Sequence, residues 1–202
     1  MSEYPVTYKQ QPPEKRDRLS IFFRWILAIP HYIWSFFYGI AAFFAVFIAW
    51  FAIVITGRWP RGLYDFAAGF LRYYGRLTAY VSLVVDTYPP FDGGEHPEYP
   101  VQIILAPPKE HYSRLKALFR LILAIPIFVM QYIFSLWLFA VSVAIWFVGV
   151  FAGRTTAGLM EATRMPMAYY VRSSAYLNLI TEDWPPFEPG APSGVASPGV
   201  TA

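Results

Sequence analysis

The charged residues of the chain are spread unevenly, and the gaps between them mark two long elements. From Trp25 to Gly57, 33 residues pass without an Asp, Glu, Lys or Arg, and from Leu121 to Gly153 another 33 do the same. A run of 18 or more apolar residues reads as a transmembrane helix, because about 20 residues at 1.5 Å rise cross a hydrocarbon core of about 30 Å. The alternative, two buried helices of a soluble protein, would need more polar cover than 202 residues supply. Trp25, Tyr32, Trp34 and Trp59 sit near the ends of the first run, where amphipathic rings favour the headgroup zone. The polar residues before it do not form a signal peptide, so the first run is expected to stay in the mature chain.

Finer punctuation divides each run. Residues 18–29 read as a short interfacial helix kinked at Pro30, since proline removes a helix hydrogen bond and disfavours helix just before it. Pro126 is expected to kink its own segment likewise, a straight helix with a tolerated proline being the alternative. Gly57 is placed to end the first long helix, with Arg58 meeting its negative end. A turn at Trp59-Pro60-Arg61-Gly62 leads to a helix over 63–85, in which Asp65, Gly69, Arg72 and Arg76 share a narrow stripe. Such a helix either lies in the interface or spans with its polar stripe against a neighbour.

The chain is written twice. Shifted by 96 residues it matches itself without a gap: Arg24 to Pro30 over Arg120 to Pro126, Gly57-Arg58 over Gly153-Arg154, Tyr73-Tyr74 over Tyr169-Tyr170, Arg76 over Arg172. Each unit closes alike, with Tyr88-Pro89-Pro90-Phe91 and Trp184-Pro185-Pro186-Phe187. About 26 of 74 pairs from Arg18 to Phe91 are identical. Chance apolar similarity would not keep glycines, prolines and arginines in register. The openings match one residue out of step, Tyr4-Pro5-Val6 with Tyr99-Pro100-Val101. The expected organisation is a polar segment 1–17, a first unit 18–91 (helices about 18–29, 31–56 and 63–85), a linker 92–113, a second unit 114–187 (helices about 114–125, 127–152 and 159–181) and a disordered tail 188–202 rich in Pro, Gly, Ala and Ser.

These motifs resemble the bacterial domain-of-unknown-function family numbered 4389. The resemblance rests on Leu27 to Tyr32, on Ala49 to Ile53, on Thr56 to Phe66 and on Asp86 to Phe91, and covers residues 19–91 well. The second unit carries it more weakly, with Ile127 for His31 and Thr155-Thr156-Ala157 for Trp59-Pro60-Arg61. It implies an integral membrane protein of an actinobacterium or a relative, and it brings no known activity or catalytic residue.

Charge counting weighs the topologies. If the helices over 63–85 and 159–181 also span, nine basic residues share one side against four on the other, whereas flat second helices give eight against eight. Cytoplasmic loops carry the excess of Lys and Arg, which favours four spans with both termini cytoplasmic in a bacterial inner membrane. A third arrangement folds each 33-residue run into a hairpin wedge, but two crossings need about 40 residues.

Composition narrows the chemistry. The chain is 56% hydrophobic and 14% charged, carries a net charge of +3 and has no cysteine. Disulfides, thiolate metal sites and cysteine nucleophiles are thereby excluded. No phosphate-binding glycine loop, nucleophile elbow, zinc helix or dinucleotide fingerprint occurs, so no enzyme and no cofactor is expected. Asp92, Glu95, His96 and Glu98 could bring oxygens to a cation but lack an EF-hand spacing, and read as a solvated turn. The candidates for lipid or anion contact are Arg18, Arg24, Arg76, Arg114, Arg120 and Arg172, with Arg18 and Arg24 expected to face headgroup phosphates. Arg76 and Arg172 would stand near mid-span, either as an anion site or as locks bonded to a neighbouring helix. Tyr73, Tyr74 and Tyr80 read as interfacial anchors or as the lining of a polar cavity. The expected class is an all-α membrane protein of two tandem repeats. The expected role is a structural or accessory one, beside anionic lipids and in a larger complex or homo-oligomer, with no nucleic acid. The alternatives are a small transporter or lipid-handling protein that uses Arg76 and Arg172, or a membrane-shaping wedge.

Overall fold

The computed structural model describes residues 4–11, 17–189 and 191–192. In chain order it has β1 (Val6–Gln10), α1 (Arg18–Phe22), α2 (Arg24–Leu27), α3 (Ile29–Thr56), α4 (Arg61–Val81), β2 (Val101–Leu105), α5 (Arg114–Leu118), α6 (Arg120–Ala152), α7 (Ala157–Leu177) and β3 (Ala191–Pro192). Helix dominates, as the repeat predicts.

α3 and α6 run unbroken for 28 and 33 residues, about 42 and 50 Å at 1.5 Å per residue. The wedge hairpin is therefore corrected, because neither helix turns back at its middle. The kinks differ between the units. In the first, the chain breaks at Phe23 and Ala28, and Pro30 falls in the first turn of α3, where its missing N–H has no helical partner to lose. In the second, the chain breaks at Phe119 and the helix then continues through Pro126, which lies inside α6 rather than in its first turn. Gly57 and Gly153 end the two helices in the left-handed conformation, at φ 73° and 65°, which glycine adopts without a Cβ clash.

One narrow face of each long helix is buried. On α3 it is Ala42, Ala45, Ala49 and Ile53, spaced three and four apart, so that α4 packs close against it. The rest of α3 is a sleeve of exposed large side chains from Ile33 to Ile55, and α6 presents the same from Leu121 to Phe151. These two helices are long and apolar enough to cross a membrane; α4 and α7 are not among such helices. α4 and α7 form a middle layer, covered by α3 and α6 on one side and by β2 and β1 on the other.

The all-helical expectation is exceeded by a three-stranded sheet. Its order is β2-β1-β3, with β1 and β2 antiparallel and β1 and β3 parallel. The polar segment and the linker thus each hold a strand, and the start of the tail adds a third. Residues 193–202, where disorder was expected, lie outside the described residues.

The two units exchange their openings. β1 and α1 pack on α7 and α6 of the second unit, while β2 and α5 pack on α4 and α3 of the first. Ile21 meets α6 at Gly149, and Phe22 lies 6.1 Å from the Trp146 ring. In the mirror contact, Trp50 Nε1 donates to the Ala117 carbonyl at 2.9 Å and Tyr112 N donates to the Gly57 carbonyl at 2.8 Å. The start of α3 therefore lies beside the end of α6, and the start of α6 beside the end of α3: the long helices are antiparallel. Tyr8 and Ile103, equivalent in the two openings, face each other in the sheet. Tyr74 and Tyr170, equivalent in the two units, meet at 6.3 Å where α4 crosses α7. A pseudo-two-fold axis runs through both pairs.

Candidate functional site

Below the crossing of α4 and α7, on the side of the long helices, an open groove of about 530 Å³ separates α3 from α6. Tyr74 and Tyr170 line it together with Trp25, Tyr32, Leu138 and Trp146. Leu83 reaches it from the end of α4 with a positive φ of 59°, and Leu179 has 61° at the equivalent position of α7. A leucine there is strained, yet both side chains are buried, and Val84 N and Ile180 N close the helix ends on the carbonyls of Ala79 and Ala175. Four of the groove hydroxyls are engaged by helix carbonyls. Ser35 donates to the Tyr32 carbonyl at 3.0 Å, Thr78 to Tyr74 at 2.8 Å, Ser135 to Gln131 at 2.7 Å, and Ser142 to Leu138 at 2.7 Å and to Ser82 at 3.0 Å. The walls are otherwise mostly rings and aliphatic side chains, with the Tyr32, Tyr74 and Tyr170 hydroxyls among them, so the cleft suits an amphiphile with a long apolar part.

The six candidate arginines divide into three pairs by repeat position. Arg24 is fully buried; it donates to the Val85 carbonyl at 3.0 Å, pairs with Asp86 and stacks 4.1 Å from the centre of the Tyr80 ring. Arg120 repeats this, with a bond to the Thr181 carbonyl at 3.0 Å and the Tyr176 ring at 3.8 Å. There the acidic partner has turned away, and Glu182 accepts from Ser113 N at 2.6 Å instead. Each guanidinium ties the entrance of a long helix to the closing segment of its own unit. Arg24 is thus corrected from a phosphate contact to an internal lock.

Arg76 and Arg172 lie on the sheet side, away from the groove. Arg76 donates to the Gly94 carbonyl at 2.6 Å and to the Arg72 carbonyl at 3.2 Å; Arg172 donates to the Glu188 carbonyl at 2.6 Å. Both anchor the loops that follow the Pro-Pro-Phe turns. Burial disfavours their charged forms and lowers both pKa values from the ordinary arginine range. Neither lines the groove between the long helices; Arg76 instead lines a smaller pocket of about 200 Å³ with Arg72, His96 and Gln102. Arg18 and Arg114 are exposed, and each sits at the far end of the other unit's helix: Arg18 against Gly153, Arg114 against Gly57. They, beside the locally placed Arg58, set positive charge at the negative helix ends.

The acidic cluster faces outward beside Arg76. His96 lies 2.9 Å from Asp92 and 3.0 Å from Glu98, and Glu95 pairs with Arg72 at 3.0 Å. Among the described residues no group of three His, Cys, Asp or Glu is placed to hold a metal ion. His31 stacks on Phe91 at 4.1 Å and lies 3.1 Å from the Tyr73 hydroxyl. In the second unit, where Ile127 replaces it, the Tyr169 hydroxyl is buried without a partner.

The fold defines a class: a two-fold, three-layered helical protein with two uncovered apolar helices. The family model for DUF4389, a domain of unknown function, matches residues 18–92 and again residues 114–188. The chain belongs to that family and carries two tandem copies of its domain. No curated protein and no solved structure matches it.

Two measurements check these assignments. Removing one partner from a buried, bonded ion pair costs about 3 kcal/mol or more. Arg24→Met is therefore expected to lower the unfolding midpoint strongly in calorimetry, and Arg114→Ala to change the stability by less than about 1 kcal/mol. The second concerns pH. Hydrogen bonds to Asp92 and Glu98 raise the pKa of His96. Its bond to His96 lowers that of Asp92, and its own backbone N–H and then His96 lower that of Glu98. The histidine contribution is complete below about pH 6.5 and fades as pH rises through the raised value, while the carboxylate contributions are present above about pH 4 and fade as pH falls. The loop is expected to be tightest between those limits, and Asp92→Asn to move the His96 titration midpoint downward in NMR.

Proposed function

We propose that this protein is a structural or accessory component of a bacterial inner membrane, bedded in anionic lipid through α3 and α6, with both termini on the cytoplasmic side. The observation that carries this reading is the bare apolar sleeve on both long helices, continuous from Ile33 to Ile55 and from Leu121 to Phe151. A monomeric soluble protein rarely leaves apolar patches beyond a few hundred Å² exposed. Exposed basic residues at the helix ends (Arg18, Arg58, Arg61, Arg114, Lys116 and Arg154) supply headgroup attraction of about 1 kcal/mol each near an anionic surface. The reading assigns no reaction and no cofactor; larger complexes or homo-oligomers remain partners of the same role.

The groove favours a second reading, lipid handling, because its walls are mostly apolar and its Ser35, Thr78, Ser135 and Ser142 hydroxyls donate to helix carbonyls. One preparation tests both. The chain is expected to stay in the membrane pellet after alkaline carbonate washing and to leave it only with detergent; release by carbonate would overturn the membrane role. Lipid that co-purifies with the wild type is expected to be lost from Ser135→Trp, which fills the groove from an exposed position. Equal lipid in both would remove the groove from the account.

A further inference from the structure

We infer that α3 and α6 do not cross the bilayer but lie flat and antiparallel within one leaflet, with the sheet held in water on the other side of α4 and α7. This seat rests on the membrane role proposed for the chain and specifies the lipid surface it takes. The ground is the direction of the strands relative to the long helices. Ala106 N donates to the Pro5 carbonyl at 2.9 Å and the Ala106 carbonyl accepts from the Tyr64 hydroxyl, so the start of β1 lies near the Gly57 end of α3. At its other end, Gln10 Nε2 reaches Thr163 at 3.0 Å, close to the Gly153 end of α6. β1 thus runs between the same two ends of the molecule as the long helices do. The middle of the sheet, at Tyr8 and Ile103, stands level with the middle of α3 and α6 along the two-fold axis.

Were α3 and α6 upright in a bilayer, that sheet would stand at mid-depth. β2 is an edge strand, and an open sheet edge does not occur in hydrocarbon, where each unsatisfied backbone group costs several kcal/mol. Glu95 and Glu98, exposed beside the same level of α4, would be placed there too. Laid flat, the molecule is stratified correctly. The apolar sleeves take the acyl zone, the half-buried α4 and α7 take the interface, and the sheet and its charges take water. A helix about 10–12 Å across fits a leaflet of about 15 Å. Lengths of about 42 and 50 Å, well over the 30 Å needed to cross, then carry no mismatch. The basic residues at both helix ends come to one headgroup plane rather than to opposite faces.

The chain has no cysteine, so single cysteines report without background. Arg58→Cys, Arg154→Cys and Glu95→Cys replace exposed side chains, and Phe37→Cys marks the lipid face. Spheroplasts of an expressing bacterium are treated with a membrane-impermeant maleimide before and after permeabilisation, and the wild type is floated with anionic vesicles. The expected result is that positions 58, 95 and 154 behave alike, all reacting before permeabilisation or all only after it, while position 37 stays protected and the protein floats. Reaction at 58 and 154 from opposite sides, with 95 protected, would overturn the flat seat and leave the membrane role standing. A wild-type protein that fails to float and remains dispersed, as a second copy covering the sleeves would allow, would overturn both.

Discussion

The antiparallel pairing of two copies of one strand, Val6–Gln10 with Val101–Leu105, is the constraint on which the remaining architecture depends. Like strands that pair antiparallel generate a two-fold axis at their shared centre. Here the axis falls between Tyr8 and Ile103 and continues to Tyr74 and Tyr170. The opening of each unit is thereby carried across to the other unit, α1 onto α6 and α5 onto α3. Antiparallel long helices follow from it, and so does the groove between them. Neither unit has its own strand on its own helix, so one domain copy lacks the cover that its α4 or α7 needs.

Buried charge serves as internal fastening. Arg24 and Arg120 hold the helix entrances to the closing segments, and Arg76 and Arg172 hold the loops after the Pro-Pro-Phe turns. A guanidinium is suited to this because it remains charged, offers five donors and stacks on aromatic faces. Carbonyl oxygens at helix and loop ends lack intrahelical partners, and these arginines supply them. Divergence between the copies is visible at the same positions. Asp86 pairs with its arginine while Glu182 caps Ser113 N, and the loss of His31 to Ile127 leaves the Tyr169 hydroxyl buried and unpartnered.

The apolar surface is concentrated where the middle layer cannot reach. α4 and α7 each cover one stripe of a long helix, and small residues at Ala42, Ala45 and Ala49 allow close packing on α3. The other faces of both helices stay bare. Lipid is the environment in which bare side chains of this kind carry no solvation penalty, and the mostly apolar walls of the groove agree with that chemistry.

The duplication, the two long apolar helices, the glycines that end them and the family itself were all legible in the residues, because each is a local property. A gap in charge, a left-handed cap and a repeat in register need no partner to be read. The strands were nearly legible: Val6 to Lys9 alternates apolar and polar positions, and the shared Tyr-Pro-Val opening marks its repeat. A strand, however, is stabilised by pairing, and its partner lay about 95 residues away. The roles of the arginines were not legible for the same reason. Whether Arg24 meets a phosphate or a carbonyl depends on where residue 85 lands, and whether Arg76 stands in a membrane or under a sheet depends on what packs against α4. Local sequence determined the elements and their apolar faces; only the exchange of the two openings decided which surfaces were covered, because that pairing joins backbone groups no local pattern connects.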